Sequence, residues 1–116
     1  YKNKKVILWG NGSQKIEVIH VDDFIEIMWN LNKYYSNEIF NIGGGREYSI
    51  KYFAKKISKL VGFDEKKIIY DTSKYVGAKS KNLSINKLKK SKVNFKLTKI
   101  DEGINQVIKW HKKTLK

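Results

Sequence analysis

Ile16-Glu17-Val18-Ile19-His20-Val21-Asp22-Asp23-Phe24 changes its period as it runs. Ile16, Val18 and His20 alternate with Glu17, Ile19 and Val21, the period-two signature of a strand. From Asp23 onward Phe24, Ile27, Met28, Leu31 and Tyr35 fall on one helical face. Asp23 with Glu26 three residues later has the form of a capping box, so a helix is predicted over about 23–35. A strand that feeds a helix places the chain in the α/β class.

Upstream, Val6-Ile7-Leu8-Trp9 is a short apolar run closed by the turn signal Gly10-Asn11-Gly12-Ser13. That turn allows a hairpin with the strand beginning at Ile16. Downstream, Glu38-Ile39-Phe40-Asn41-Ile42 reads as a third strand, bounded by Ser36-Asn37 and Gly43-Gly44-Gly45. Ser49 caps a second helix whose apolar face is Ile50, Phe53, Ala54, Ile57, Leu60 and Val61, with Gly62 placed to end it. Lys67-Ile68-Ile69-Tyr70 reads as a further strand, residues 71–82 as an exposed polar loop, and Ser84 as the cap of a short helix through Leu88. Thr98 and Asp101 predict a last helix carrying Ile104, Val107, Ile108 and His111 on one side, with Lys112 and Lys113 near its C-terminus. No repeat, low-complexity tract or linker divides the chain, so residues 1–116 read as a single α/β segment.

Composition limits what this segment does. With 116 residues, 41% of them hydrophobic and 13% aromatic, the chain can fill one core, which argues against disorder. No apolar run approaches a bilayer span and the N-terminus lacks a signal-peptide core, so a soluble segment with no membrane partner is expected. Zero Cys excludes a disulfide framework, a thiolate nucleophile and a Cys-type zinc site, and two His are too few for a His-built metal centre. The net charge of +14 raises a small basic nucleic-acid-binding module as the alternative function. Against it, Arg46 is the only arginine, whereas bidentate phosphate and base recognition favours the guanidinium fork.

Several constellations have both a chemical and a structural reading. Gly43-Gly44-Gly45 stands between strand and helix, where amides can cradle a phosphate, yet no Gly-Lys-Ser/Thr follows and position 48 is Tyr where a dinucleotide fingerprint needs glycine. Tight-turn geometry is the simpler account. Tyr-x-x-x-Lys, the spacing of a reductase proton donor, occurs at Tyr1/Lys5, Tyr52/Lys56, Tyr70/Lys74 and Tyr75/Lys79. A chain this rich in lysine gives about 1.4 such pairs by chance, so none is assigned a catalytic role. Asp22 and Asp23 read as helix-start acids, and His20 as a satisfied, mostly buried histidine. Trp9 stands beside a glycine-rich turn, where an exposed indole can stack on a base or sugar. Lysines 66, 67, 74, 79 and 81 flank or occupy one loop and offer ammonium groups to a diphosphate, unless that loop is simply solvated.

Leu8-Trp9-Gly10-Asn11-Gly12, Ile19-His20-Val21-Asp22-Asp23, Phe40-Asn41-Ile42-Gly43-Gly44-Gly45 with Ser49-Ile50, and Asp101-Glu102-Gly103-Ile104 with Trp110 occur in an order that resembles a known family. It is similar to the C-terminal portion of the extended short-chain dehydrogenase/reductases acting on sugar nucleotides, the NAD-dependent epimerase/dehydratase family. Tyr70-Asp71-Thr72-Ser73-Lys74 followed by Gly77-Ala78-Lys79-Ser80-Lys81 most resembles the GDP-L-fucose synthase group, the GDP-4-keto-6-deoxymannose epimerase/reductases. The resemblance implies a mixed α/β substrate-binding lobe lacking the N-terminal Rossmann dinucleotide-binding part, where NADP and the catalytic Ser, Tyr and Lys of the family lie. It implies a cytoplasmic, homodimeric parent enzyme that binds a GDP-sugar or another NDP-sugar. The segment alone is then expected to bind no cofactor and to be inactive, as a fragment starting at Tyr1 without Met would be. By position, Trp9 matches a tryptophan contacting the GDP-sugar, Lys67 a basic residue at a strand start, and Lys81 a lysine reaching the diphosphate. Where the family has a diphosphate-clamping arginine this chain has Ile16, leaving neighbouring Lys15 as the candidate substitute. The helix from Asp23 and the strand over 38–42 are expected to belong to the absent domain's sheet, leaving an apolar face that promotes self-association.

Overall fold

Strand β1, Val6–Trp9, has the β-branched and aromatic content of a strand, but its partner is far away in sequence. In the computed structural model, which describes residues 4–114, β1 pairs in parallel with the strand Ile68–Asp71, in register Val6 to Ile68 and Trp9 to Asp71. The hairpin expected after Gly10-Asn11-Gly12 does not form. Instead the turn carries the chain into a second, three-stranded sheet. There β2, Lys15–Glu17, is central, with β3, Glu47–Ser49, antiparallel on one side. With Ile68–Asp71 as β4, the fifth strand β5, Ser80–Lys81, lies parallel to β2 on its other side.

Helix α1, Val21–Tyr34, starts two residues before the expected cap. His20 caps it, its Nδ1 accepting from the Asp22 amide at 3.4 Å. Asp23 is buried and turned elsewhere: its carboxylate accepts from the Thr98 amide at 2.7 Å and the Thr98 hydroxyl at 2.8 Å. Helix α2, Ile50–Val61, follows the sequence closely. The Ser49 hydroxyl accepts from the Tyr52 amide at 3.0 Å, and Gly62 closes the helix in the left-handed conformation at φ +68°. The short helix α3, Asn86–Lys89, has no side-chain cap, so the expectation at Ser84 is not met. The last helix, α4, covers Ile100–Thr114, and the carbonyl of Lys99 rather than Thr98 accepts its opening bond, from Gly103.

The core is narrow. Ile27 and Leu31 of α1 are buried with Ile85, Leu88 and Val93, and Tyr35, Phe40, Ile42, Phe95 and Leu97 pack around them. Each fully buried aliphatic side chain stabilises the fold by about 1.5–3 kcal/mol. Residues 38–42 pass this core with Phe40 and Ile42 half-buried and Ile39 86% exposed, which is strand-like alternation. They have no ladder partner among the described residues, so the predicted third strand is not formed here. Val21, Ile25, Met28 and Trp29 make a second, exposed stripe on α1. The radius of gyration is 17.1 Å, against about 13 Å for a compact domain of this length.

Helices α2 and α4 are joined by Lys56 Nζ and Asp101 Oδ2 at 2.7 Å. The hydrogen bond to Asp101 is the largest influence on Lys56 and holds its ammonium above the ordinary lysine range. A raised folded-state value means the stabilisation is present below the unfolded lysine pKa and is lost as pH climbs through the folded one. Thermal melts of wild type and Asp101→Asn should therefore differ at pH 7, wild type melting higher, and converge once lysine deprotonates. The Asp23 contact is buried and charge-assisted, so Asp23→Ala should cost about 2 kcal/mol or more by orphaning the Thr98 donors, measured by urea unfolding.

Candidate functional site

The turn after β1 and the loop after β4 run against each other along their length. The Gly10 amide donates to the Asp71 carbonyl at 2.7 Å, and the Lys15 amide to the Lys79 carbonyl at 2.9 Å. The side-chain oxygens of Asn11 and Asp71 each accept from the amide and hydroxyl of the serine two residues on, Ser13 and Ser73, which stiffens both bends. Gly12 is required at this contact: a Cβ there would stand 2.6 Å from Tyr70 Cε1, and its φ is +75°. Trp9 opens the seam with its indole 61% exposed, and β5 closes it.

Of the four site residues expected from sequence, three lie on this seam. Trp9 is at the end of β1, Lys15 at the start of β2, and Lys81 in β5 opposite Ile16. Lys15 is paired with Ser80, one step out of register with Lys81, so their side chains leave opposite faces of the sheet. Lys81 borders a groove of about 410 Å³ with Glu17, Gly43 and Gly44, whereas Lys15 borders a concavity of about 500 Å³ with Arg46, Tyr48 and Tyr52. Lys67 is elsewhere. It ends the 3₁₀ turn Glu65–Lys67 at the start of β4, while Trp9 pairs with the last residue of that strand. Four residue steps, about 13 Å of backbone, separate Lys67 from the level of Trp9.

Sequence reasoning missed Glu17. Its Oε1 accepts from the Gly45 amide at 2.5 Å and its Oε2 from the Leu83 amide at 2.6 Å. The carboxylate lies so close over Gly43 that a Cβ there would meet Oε1 at 2.5 Å, and a Cβ on Gly44 would collide with the Val18 carbonyl oxygen. Gly43 and Gly44 thus pack closely against the end of β2, and a Cβ on Gly45, at φ +68°, would meet Ile85 Cδ1 at 2.8 Å. An acidic group facing these amides also opposes a phosphate, and the first amides of α2 are already used, Ile50 on the Gln14 carbonyl and Lys51 on the Gly12 carbonyl. The residues present do not fit the pyrophosphate of a dinucleotide at either glycine-rich turn. The only advance signal was an acid on a strand just ahead of a glycine cluster.

The remaining candidates are structural. His20 is 11% exposed and packs against Gly103 of α4. Lys56, one of the Tyr-x-x-x-Lys lysines, is held by Asp101, and Tyr52 stacks on Tyr48 with centroids 4.8 Å apart. A mainly apolar cavity of about 430 Å³ between α2 and α4 has Asp23 and Thr98 at its wall, already bonded to each other. Among the described residues no three His, Cys, Asp or Glu side chains are placed to hold a metal ion, and no helix is long and apolar enough to cross a membrane.

Residues 1–43 match the family model described as "NAD dependent epimerase/dehydratase family". Probable GDP-L-fucose synthase 1 of Oryza sativa is 35% identical over 112 residues, covering 92% of this chain and 32% of its own length. GDP-L-fucose synthase 1 of Arabidopsis thaliana is 32% identical, covering 97% of this chain and 34% of its own. The chain belongs to the NAD-dependent epimerase/dehydratase family. In fold it is mixed α/β and matches about a third of the length of extended short-chain dehydrogenase/reductase structures. A UDP-glucose 4-epimerase of Thermotoga maritima, solved with UDP-glucose, superposes with a TM-score of 0.81 at 25% identity, covering 97% of this chain and 36% of the other. A GDP-L-fucose synthetase of Naegleria fowleri bound to NADP gives 0.84 at 21% identity over 94% of this chain and 35% of the other, a likeness of fold. The chain spans about a third of the length of the curated relatives it matches.

If the glycine triplet is there for packing, Gly44→Ala should destabilise the fold by about 1–3 kcal/mol through overpacking, read as a lower urea midpoint.

Proposed function

We propose that this chain is the sugar-nucleotide-binding region of an NADP-dependent epimerase/reductase acting on GDP-4-keto-6-deoxymannose or a related NDP-sugar. The observation that carries the reading is the match to the rice and Arabidopsis GDP-L-fucose synthases over more than nine-tenths of this chain. The seam gives it a place: an exposed indole at one end, an ammonium group at the other, and two side-chain-stiffened bends between them. An indole face stacks on a base or sugar ring, and a lysine offers a point charge to a diphosphate.

The arginine replaced by Ile16 fits this reading as well. Ile16 pairs with Tyr48 on one side and Lys81 on the other, all three on one face of the sheet. Lys81 therefore supplies the positive charge beside the position where the related enzymes have arginine. Lys15, on the opposite face, is the weaker substitute, and Lys67 serves the start of β4 away from the seam. The cofactor and the catalytic Ser, Tyr and Lys belong to a preceding Rossmann region, onto which the exposed α1 stripe and residues 38–42 pack. The role of this region is positioning: nucleotide binding energy holds the keto-sugar where protons beside the ketone are removed and hydride is delivered.

Calorimetric titration with GDP should show binding that weakens about tenfold in Trp9→Ala and in Lys81→Ala, less in Lys15→Ala, and not in Lys67→Ala. A random single-stranded oligonucleotide titrated at two salt concentrations is the control. Tight, steeply salt-dependent oligonucleotide binding with no response to GDP would replace this reading by the nucleic-acid module.

A further inference from the structure

β5 contains only Ser80 and Lys81, yet it carries the lysine on which the proposed diphosphate site depends. Two residues of strand do not hold themselves in place. The loop leading to them is exposed from Thr72 through Lys79, and Gly77 within it has φ +72° with no atom near its Cβ position. Two acids fix the far end of that loop. Glu47 of β3 accepts from the Ser80 hydroxyl, and Glu17 of β2 accepts from the Leu83 amide at 2.6 Å. Lys81 lies between these anchors.

The pairing of the acids shows what they are for. Glu17 and Glu47 stand directly opposite each other on β2 and β3, where like charges repel. Such a pair is stable only if donors neutralise it, and the donors come from residues 80–83 together with Gly45. The repulsion thus makes the two acids a receptor for the 80–83 segment. Glu17 adds a second link, since its other oxygen holds the Gly45 amide and so fixes the glycine turn across the same groove that Lys81 borders.

We infer that Glu17 is a positioning residue for nucleoside diphosphate binding, which clamps the Lys81-bearing segment against β2 while itself touching no ligand. This inference rests on the proposed sugar-nucleotide site and names the part of the fold that assembles it. Glutamine is the sharp substitution: it keeps one acceptor but turns the other oxygen into an NH2 group, which faces an amide donor at either Gly45 or Leu83.

The experiment measures GDP affinity by calorimetry and amide hydrogen exchange in the whole chain, for wild type, Glu17→Gln, Lys81→Ala, the double variant and Glu17→Asp. Glu17→Gln should weaken GDP binding by up to about tenfold, the loss of Lys81 itself being the ceiling, and the double variant should bind no more weakly than Lys81→Ala. Exchange at residues 79–83 should accelerate in Glu17→Gln while α2 amides keep their protection, which separates local release from unfolding. Glu17→Asp, an acceptor on a shorter stem, should recover part of the affinity. Weakened binding in Lys81→Ala with wild-type binding in Glu17→Gln overturns the clamp and leaves the site standing. Unchanged binding in Lys81→Ala overturns the site and the clamp's purpose with it. Additive losses in the double variant, or loss of α2 protection in Glu17→Gln, assign Glu17 to general stability and reject the inference.

Discussion

Glu17 accepts from two amides that are 28 and 66 residues away in sequence, so three stretches of chain meet at one acceptor-only group. It ties both the glycine turn and the segment after β5 to β2. Gly43 follows from the same requirement, because the carboxylate lies where its side chain would be, while Gly44 is required by the Val18 carbonyl and Gly45 by Ile85 and its positive φ. Asp23 plays the matching part on the other side, drawing Thr98, 75 residues on, against the start of α1 and so setting where α4 begins. Both are carboxylates whose partners come from distant sequence.

What the sequence made legible was local. The apolar face and serine cap of α2 were visible in residues 49–62 because helix periodicity and capping are determined within a few neighbours. The hairpin failed for the opposite reason. A turn signal states that the chain bends, whereas the partner of Val6 is Ile68, and no pattern within a dozen residues specifies a parallel ladder over that distance. His20 and Asp23 exchanged roles because Asp23 met a buried partner in Thr98, a tertiary contact that outweighs a capping box.

The site divides in the same way. Trp9 stood out beside a glycine-rich turn and Lys81 among five loop lysines, the resemblance narrowed the choice to them, and the structure adds that they border one seam while Lys67 stands at the other end of β4. Glu17 was passed over because an acid at an alternating strand position looks like ordinary solvent-facing polarity. Its importance appears only once Gly45 and Leu83 are brought beside it. Val21, Ile25, Met28 and Trp29 stand exposed on α1, and residues 38–42 have no ladder partner among the described residues.

The parallel pairing of β1 with β4 also sets an order of events during synthesis. Val6 leaves the ribosome 62 residues before Ile68, and at roughly 5–20 residues per second that is about 3–12 s before its β4 partner exists. For that interval Ile7 and Trp9, exposed even in the finished structure, belong to a strand whose β4-facing edge is open. The lysines at positions 4 and 5 immediately ahead of this strand are the kind of flanking charge that keeps nascent hydrophobic strands apart until the correct neighbour arrives.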